Sequence, residues 1–352
     1  MDLLPPKIIR RLLLAPLVFV LCLALIVISP AVLILVAVAD VFLPGSWRTL
    51  RLVTFGVIYL IFEVIGLIVL FVLWIATGFG LTMKSSRSTE WNYRFMTWWL
   101  KCMYRAVAVL FGFRINIEER PTPQPGPLLV FCRHAGPGNS LMLVGTMMIA
   151  YGRRPRIVML AKLQWDPLFD TMGNRLPNRF IKHDKKDSAR YVAAIGELAE
   201  DLGDQDAFVL FPEGRDFTQR LRLRAIDYLK DKGFAKHAKK AELLTNVLPP
   251  RHRGPMVAIT NAPEADVVFV AHSVLEDIGT FRDLWRHVPL REPIDARYWR
   301  IPPTEVPRTE AKIIDWLYEW WERIDTWIDD HKPPSRTIPA AEEDAMSEDR
   351  PA

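Results

Sequence analysis

Between Leu12 and Ala39 the chain carries no charged side chain. This run limits the fold more than any other feature. A soluble helix rarely stays apolar on every face over such a length, and about 20 apolar residues already cross a hydrocarbon layer. From Leu52 to Met83 the only charge is Glu63. Both runs exceed the roughly 7–15-residue apolar stretch of a cleaved signal peptide, and the second follows the first. Residues 1–83 are therefore expected to form a transmembrane or membrane-embedded helical hairpin, with two buried core helices as the alternative. Pro16 and Pro30 would kink the first span, which admits a shallow, re-entrant hairpin as well as two full crossings. A carboxylate is costly in hydrocarbon, so Glu63 is expected to face a packing partner or to snorkel.

Lys7, Arg10 and Arg11 precede the first run, and Lys84, Arg87 and Arg94 follow the second, whereas the connecting loop has Arg48 and Arg51. That asymmetry puts both outer flanks on the cytosolic side of the cytoplasmic membrane. The formal net charge is +5. From Ser335 onward the tail holds more acids than bases, so the remainder is more basic still. A basic domain tethered to a bilayer suits anionic lipids and anionic substrates. Nucleic acid is not indicated as a partner, because no finger, basic zipper or RNA-binding signature is present. Cys22, Cys102 and Cys132 lack metal-like spacing, which fits a reducing compartment and no disulfide framework.

After the hairpin, Trp91–Leu110 reads as an amphipathic helix with aromatics beside a basic stripe, suited either to the headgroup zone or to covering a core. Short apolar runs then alternate with helical stretches. The expected strands are Phe113–Ile117, Leu128–Cys132, Arg156–Leu160, Ala207–Phe211, Met256–Thr260 and Val267–Ala271. The expected helices are Ser140–Tyr151, Lys186–Leu202, Arg220–Leu244 and an amphipathic Thr309–His331. This order predicts an α/β domain over residues 84–331, a mostly parallel sheet covered by helices. Residues 332–352, rich in Pro, Ala and acids, are expected to be a disordered tail.

Two motifs stand at the ends of predicted strands. Phe131-Cys132-Arg133-His134-Ala135-Gly136-Pro137-Gly138-Asn139 leaves the Leu128–Cys132 strand, and Phe211-Pro212-Glu213-Gly214-Arg215-Asp216 leaves the next one. In open parallel sheets ligands bind at the carboxyl ends of strands, so both motifs belong to one crevice. Over about Leu128 to Ala271 the sequence resembles the lysophosphatidate acyltransferase family of glycerolipid enzymes. Its HxxxxD block falls on His134 with Asn139 at the acid position, and its FPEG block on Phe211–Gly214. Its second block resembles Lys162, Pro167, Phe180 and Ile181, with His183 where the family has Arg.

The resemblance implies transfer of a fatty acyl group from acyl-CoA or an acyl carrier protein to the hydroxyl of a lysophospholipid such as lysophosphatidate. No cofactor or metal is implied. His134 would be the general base and Asn139 its partner. Glu213 would help to bind the acceptor or hold the site together, with Gly214 beside it in the substrate site. Arg179, Lys182, His183 and Arg215 are the cations expected to meet phosphate. An imidazole ordinarily titrates near neutral pH, and a positioned base contributes roughly 10²–10⁴-fold. Backbone N–H groups of the Gly136–Gly138 turn or of the following helix are the expected oxyanion donors. Asn139 either orients the ring without charge, caps the following helix, or is a substitution that keeps the enzyme inert. If it belongs to the relay, Asn139→Asp should raise transfer at least about tenfold. The rival class is a catalytically weakened lipid-binding or scaffold protein with the same fold. A serine hydrolase built on Ser140 is disfavoured by the lack of a G-x-S-x-G elbow.

Overall fold

The two apolar runs form helices α1, Lys7–Phe42, and α2, Arg48–Ala76. They belong to a computed structural model describing residues 4–43, 45–118, 124–181, 188–273 and 281–331. Near the turn between the helices, the carboxylate of Asp40 accepts the Leu50 N–H at 2.7 Å. α1 leaves a long row of large apolar side chains exposed, from Leu12 through Val27 to Val41.

α2 behaves differently. Near its start, Arg48 donates to Val288 O at 3.0 Å and Arg51 to Leu110 O at 2.6 Å. At its middle, Glu63 accepts the Leu168 N–H at 3.2 Å, and Tyr59 meets Asp166. Further along, Leu70 packs with Trp99, Leu168 and Met172. Val69, Leu73 and Ala76 then line an apolar groove of ≈ 590 Å³ with Trp91, Phe95 and Trp98. The helix therefore lies along the rest of the protein for its whole length. Gly66 permits the closest approach, since a Cβ there would stand 2.6 Å from Leu168 Cδ1. Gly66→Val is expected to destabilise the seam by about 1–3 kcal/mol, read as a lower Tm of the detergent-solubilised chain. An unchanged Tm would mean that the seam is loose.

A turn leads into α3, Ser86–Phe111, whose N-terminus is capped by the Ser85 hydroxyl accepting from Ser88 N. Seven strands follow: β1 Ile115–Glu118, β2 Leu128–Cys132, β3 Arg154–Leu160, β4 Arg179–Ile181, β5 Asp206–Leu210, β6 Asp266–His272 and β7 Ile294–Ile301. They form one sheet in the order β1-β7-β6-β2-β5-β3-β4. Every pairing is parallel except β6 with β7. The helices between are α4 Pro137–Ala150, α5 Pro167–Arg175, α6 Ser188–Ala199, α7 Gln219–Asp231, α8 Ala235–Leu243, α9 Arg253–Asn261, α10 Phe281–His287 and α11 Glu310–Asp330.

Strand alternation divides the core. Leu129 and Phe131 of β2 join Phe208, Val267 and Phe269 under α6, α9 and α11. Leu128, Val130 and Cys132 join Ala207 and Val209 beneath Leu143 and Met147 of α4. Trp320 of α11 stacks on Phe269 at 4.6 Å, so the Trp-rich helix packs against the sheet.

Met256–Thr260, expected as a strand, lies within helix α9. Four successive apolar residues do not distinguish the two states, and burial of Gly254, Pro255, Ala258 and Ile259 follows a helical i, i+4 rhythm. The single helix expected over Arg220–Leu244 is two, broken where Gly233 takes φ +75, a conformation that glycine adopts without a Cβ penalty. β4, β7 and α10 were not apparent in the sequence pattern. β4 spans three residues, and in β7 the alternation of Ile294, Ala296 and Tyr298 breaks at Trp299 and Arg300. The tail from Lys332 lies outside the described residues.

Candidate active site

β2 and β5 are adjacent and parallel, with Phe131 opposite Leu210. The two motifs therefore leave the sheet side by side at its carboxyl edge. Arg133 and Glu213 both turn inward, 0% and 1% exposed. The guanidinium of Arg133 donates to His272 O and Asn246 O, each at 3.0 Å. The carboxylate of Glu213 accepts His134 N at 3.1 Å through one oxygen and Leu248 N at 3.0 Å through the other. Burial pushes the Glu213 carboxyl up to about 8, while Arg133 and the two amide donors draw it down. These residues tie the ends of β2, β5 and β6 to the 245–248 segment. Of the two roles expected of Glu213, this geometry fits holding the site together, because both oxygens are used on backbone N–H groups within the interior.

Between these clamps His134 is held from several sides. Its backbone oxygen accepts Phe217 N at 2.9 Å, and its ring lies 4.6 Å from Phe211, tilted by 32°. Its Nδ1 stands 2.8 Å from Asp216 Oδ1, with the imidazole side chain 22% exposed. The same carboxylate oxygen accepts the Gly136 N–H at 2.9 Å. The His134 contact, followed by the Gly136 N–H and the Lys162 charge, holds Asp216 below the usual carboxylate range despite partial burial. Asp216 reaches the ring because the chain turns sharply at Gly214, φ +71, where a Cβ would crowd Arg251.

Asn139 is not the ring's partner. It is fully buried in the first turn of α4, and its amide donates to Arg133 O at 2.7 Å. Nor does it cap α4, because Gly136 occupies the N-cap position. Gly136 N–H, expected among the oxyanion donors, is used on Asp216. Arg179 is on the edge strand β4, separated from β2 by β5 and β3, and pairs with Glu197 at 3.0 Å. Arg215 is exposed in the turn after Gly214. Lys182 and His183 lie outside the described residues. Lys162, on the turn after β3, is the cation whose charge reaches the His134–Asp216 pair.

Sequence reasoning missed Asp216. Its only signal was an acid two residues beyond the Pro-Glu-Gly turn. That position carries meaning once β5 is known to lie beside β2.

The sheet thus presents a histidine at the end of one strand and a Pro-Glu-Gly turn at the end of its neighbour. Residues 114–260, about two fifths of the chain, match the family model described as Acyltransferase. His134, Glu213 and Asp216 all fall inside it. No curated protein matches the sequence. Among solved structures the chain is similar to the 1-acyl-sn-glycerophosphate (LPA) acyltransferase PlsC from Thermotoga maritima. Identity is 12%, with coverage of 75% of this chain and 97% of that one and a TM-score of 0.47. Nothing further about this chain follows from a likeness at that level.

Proposed function

We propose that the protein transfers a fatty acyl group from a thioester donor, acyl-CoA or acyl carrier protein, to the hydroxyl of a lysophospholipid at a membrane surface. The observation carrying this reading is the 2.8 Å approach of His134 Nδ1 to Asp216. Asp216 stands beside Nδ1 without being in line with its N–H; a small rotation of the ring turns Nδ1–H onto the carboxylate and leaves Nε2 as the nitrogen that accepts a proton. The acceptor O–H gives that proton to Nε2 as its oxygen bonds to the thioester carbon, and the carbonyl oxygen becomes an oxyanion. Gly138 N–H, one of the first-turn amides that a helix leaves unpaired, is the oxyanion donor we assign. Collapse of the intermediate breaks the C–S bond, and the imidazolium returns its proton to the leaving sulfur. The carboxylate of Asp216 stabilises the imidazolium and fixes its tautomer.

The rival reading of a weakened lipid-binding scaffold drew its support from the missing charge at Asn139. Asp216 removes that support. The exposed apolar face of α1 favours a hairpin buried in the bilayer. Because α2 touches the folded domain near its start, at its middle and towards its end, a shallow insertion on one side fits better than two full crossings. The Lys and Arg flanks favour the cytosolic leaflet.

The test is a radiolabelled acyl-CoA assay on the purified full-length chain in phospholipid vesicles, with a panel of lysophospholipid acceptors. His134→Ala is expected to lower transfer by roughly 10²–10⁴-fold. Transfer that survives the substitution would exclude the mechanism.

A further inference from the structure

Where α1 enters its apolar run it meets α5 through a cluster with too many cations. Arg10 Nη2 stands 3.0 Å from Asp170 Oδ1, and Arg11 Nε stands 3.3 Å from Asp170 Oδ2. Asp170 Oδ1 also accepts from Gln164 and Asn174, each at 2.9 Å, so that oxygen is fully occupied and Oδ2 faces Arg11. A third guanidinium, Arg175 at the end of α5, lies close enough for Arg11 to oppose its charge. Burial first, and then Arg11, push Arg175 down to about 10, where it is still cationic at neutral pH. Its Nη1 is buried with no hydrogen-bond partner, and no carboxylate among the described residues pairs with it. The other Nη groups of Arg10 and Arg11 donate to neutral oxygens of Pro5, Thr171 and the Asp170 backbone, and Arg10 Nε is buried without a partner. Two guanidinium groups thus share one carboxylate, and the third, Arg175, stands beside them without one.

A buried cation without a counter-charge is costly. Planar guanidinium groups bind phosphate oxygens in fork geometry. The position of the cluster suggests the source of an anion. Arg11 immediately precedes Leu12, where the uncharged run begins, so the cluster stands at the border of the apolar layer, the level of phospholipid head groups. We propose that Arg11 and Arg175 form a binding site for a phosphate ester, supplied by the head group of a membrane phospholipid, at the junction of α1 and α5. The site is independent of the His134 chemistry, and only the choice of source rests on the hairpin lying in a bilayer.

Thermal unfolding of the full-length chain in neutral detergent tests this without measuring acyl transfer. Phosphatidylglycerol added to the micelles is expected to raise Tm by roughly 2–8 °C, and diacylglycerol is not. Arg175→Gln should abolish the rise, and Arg175→Lys should keep part of it. Without added anion, Arg175→Gln should be at least as stable as the parent, since it removes an unpaired buried charge. A rise with inorganic phosphate alone, lost in Arg175→Gln, supports the site and identifies its occupant as free phosphate. A rise confined to phosphatidylglycerol identifies a lipid head. The proposal is overturned if the parent responds to neither, if Arg175→Gln responds like the parent, or if Arg175→Gln lowers Tm in the absence of anion.

Discussion

Asp216→Asn lowers the turnover of acyl transfer by about 10²–10⁴-fold while leaving the KM for the donor within a few-fold of the parent value. The range runs up to the effect of removing the charge from a carboxylate that orients a general-base imidazole, about 10⁴. Its lower end allows for Asp216 being half exposed, with its side chain 49% accessible, so that water replaces part of the lost interaction. An amide at 216 still accepts the Gly136 N–H, which keeps the loop in place and separates loss of charge from loss of fold. Steady-state kinetics in vesicles decide the matter. Unchanged turnover would leave His134 without its orienting group.

The companion substitution reverses an expectation drawn from the motif. Asn139→Asp should leave transfer unchanged or lower it. The Asn139 amide donates to Arg133 O at 2.7 Å, and a carboxylate there would turn an acceptor toward an acceptor in a fully buried position. A gain in rate on Asn139→Asp would show that the relay runs through α4 after all.

Glu213→Ala is expected to cost about 2–5 kcal/mol of stability, since each buried donor left unsatisfied costs about 1–3 kcal/mol. The substitution leaves His134 N and Leu248 N, both now bonded to the Glu213 carboxyl, without a partner. Thermal or denaturant unfolding in detergent measures the loss. A cost below about 1 kcal/mol would mean that water or neighbouring groups replace the carboxylate.

The same carboxyl sets a pH dependence. Its pKa is raised from 4.5 to about 8 in the folded state, so the folded chain holds a proton that the unfolded chain releases. The resulting stability is complete below the unfolded value and declines as pH rises through the folded one. Between about pH 4.5 and 8 the parent should lose stability relative to Glu213→Gln, which carries no titrating group at this position. Parallel pH profiles for the two proteins would refute this assignment.

Local pattern was enough to reveal much of the architecture. The uncharged run after Arg11, the buried strand Leu128–Cys132 and the amphipathic rhythm of α11 depend on neighbours within one or two turns, so hydropathy exposes them. His134 and the Pro-Glu-Gly turn were legible because each follows a short apolar strand directly. The run at Met256–Thr260 was misread because four apolar residues satisfy either period. Only its contact face, with Ala258 and Ile259 against the sheet, selects a helix.

The amino-acid order by itself determined a membrane-seeking N-terminus, an α/β succession and a histidine with a glutamate at strand ends. Tertiary structure decided which acid lies beside that histidine and whether the second apolar helix stands apart from the domain or lies along it. Periodicity is a property of adjacent residues. The pairing of His134 with Asp216, or of Glu63 with the Leu168 N–H, arises only when strands and helices distant in the chain pack together, and residue spacing along one segment does not encode that choice.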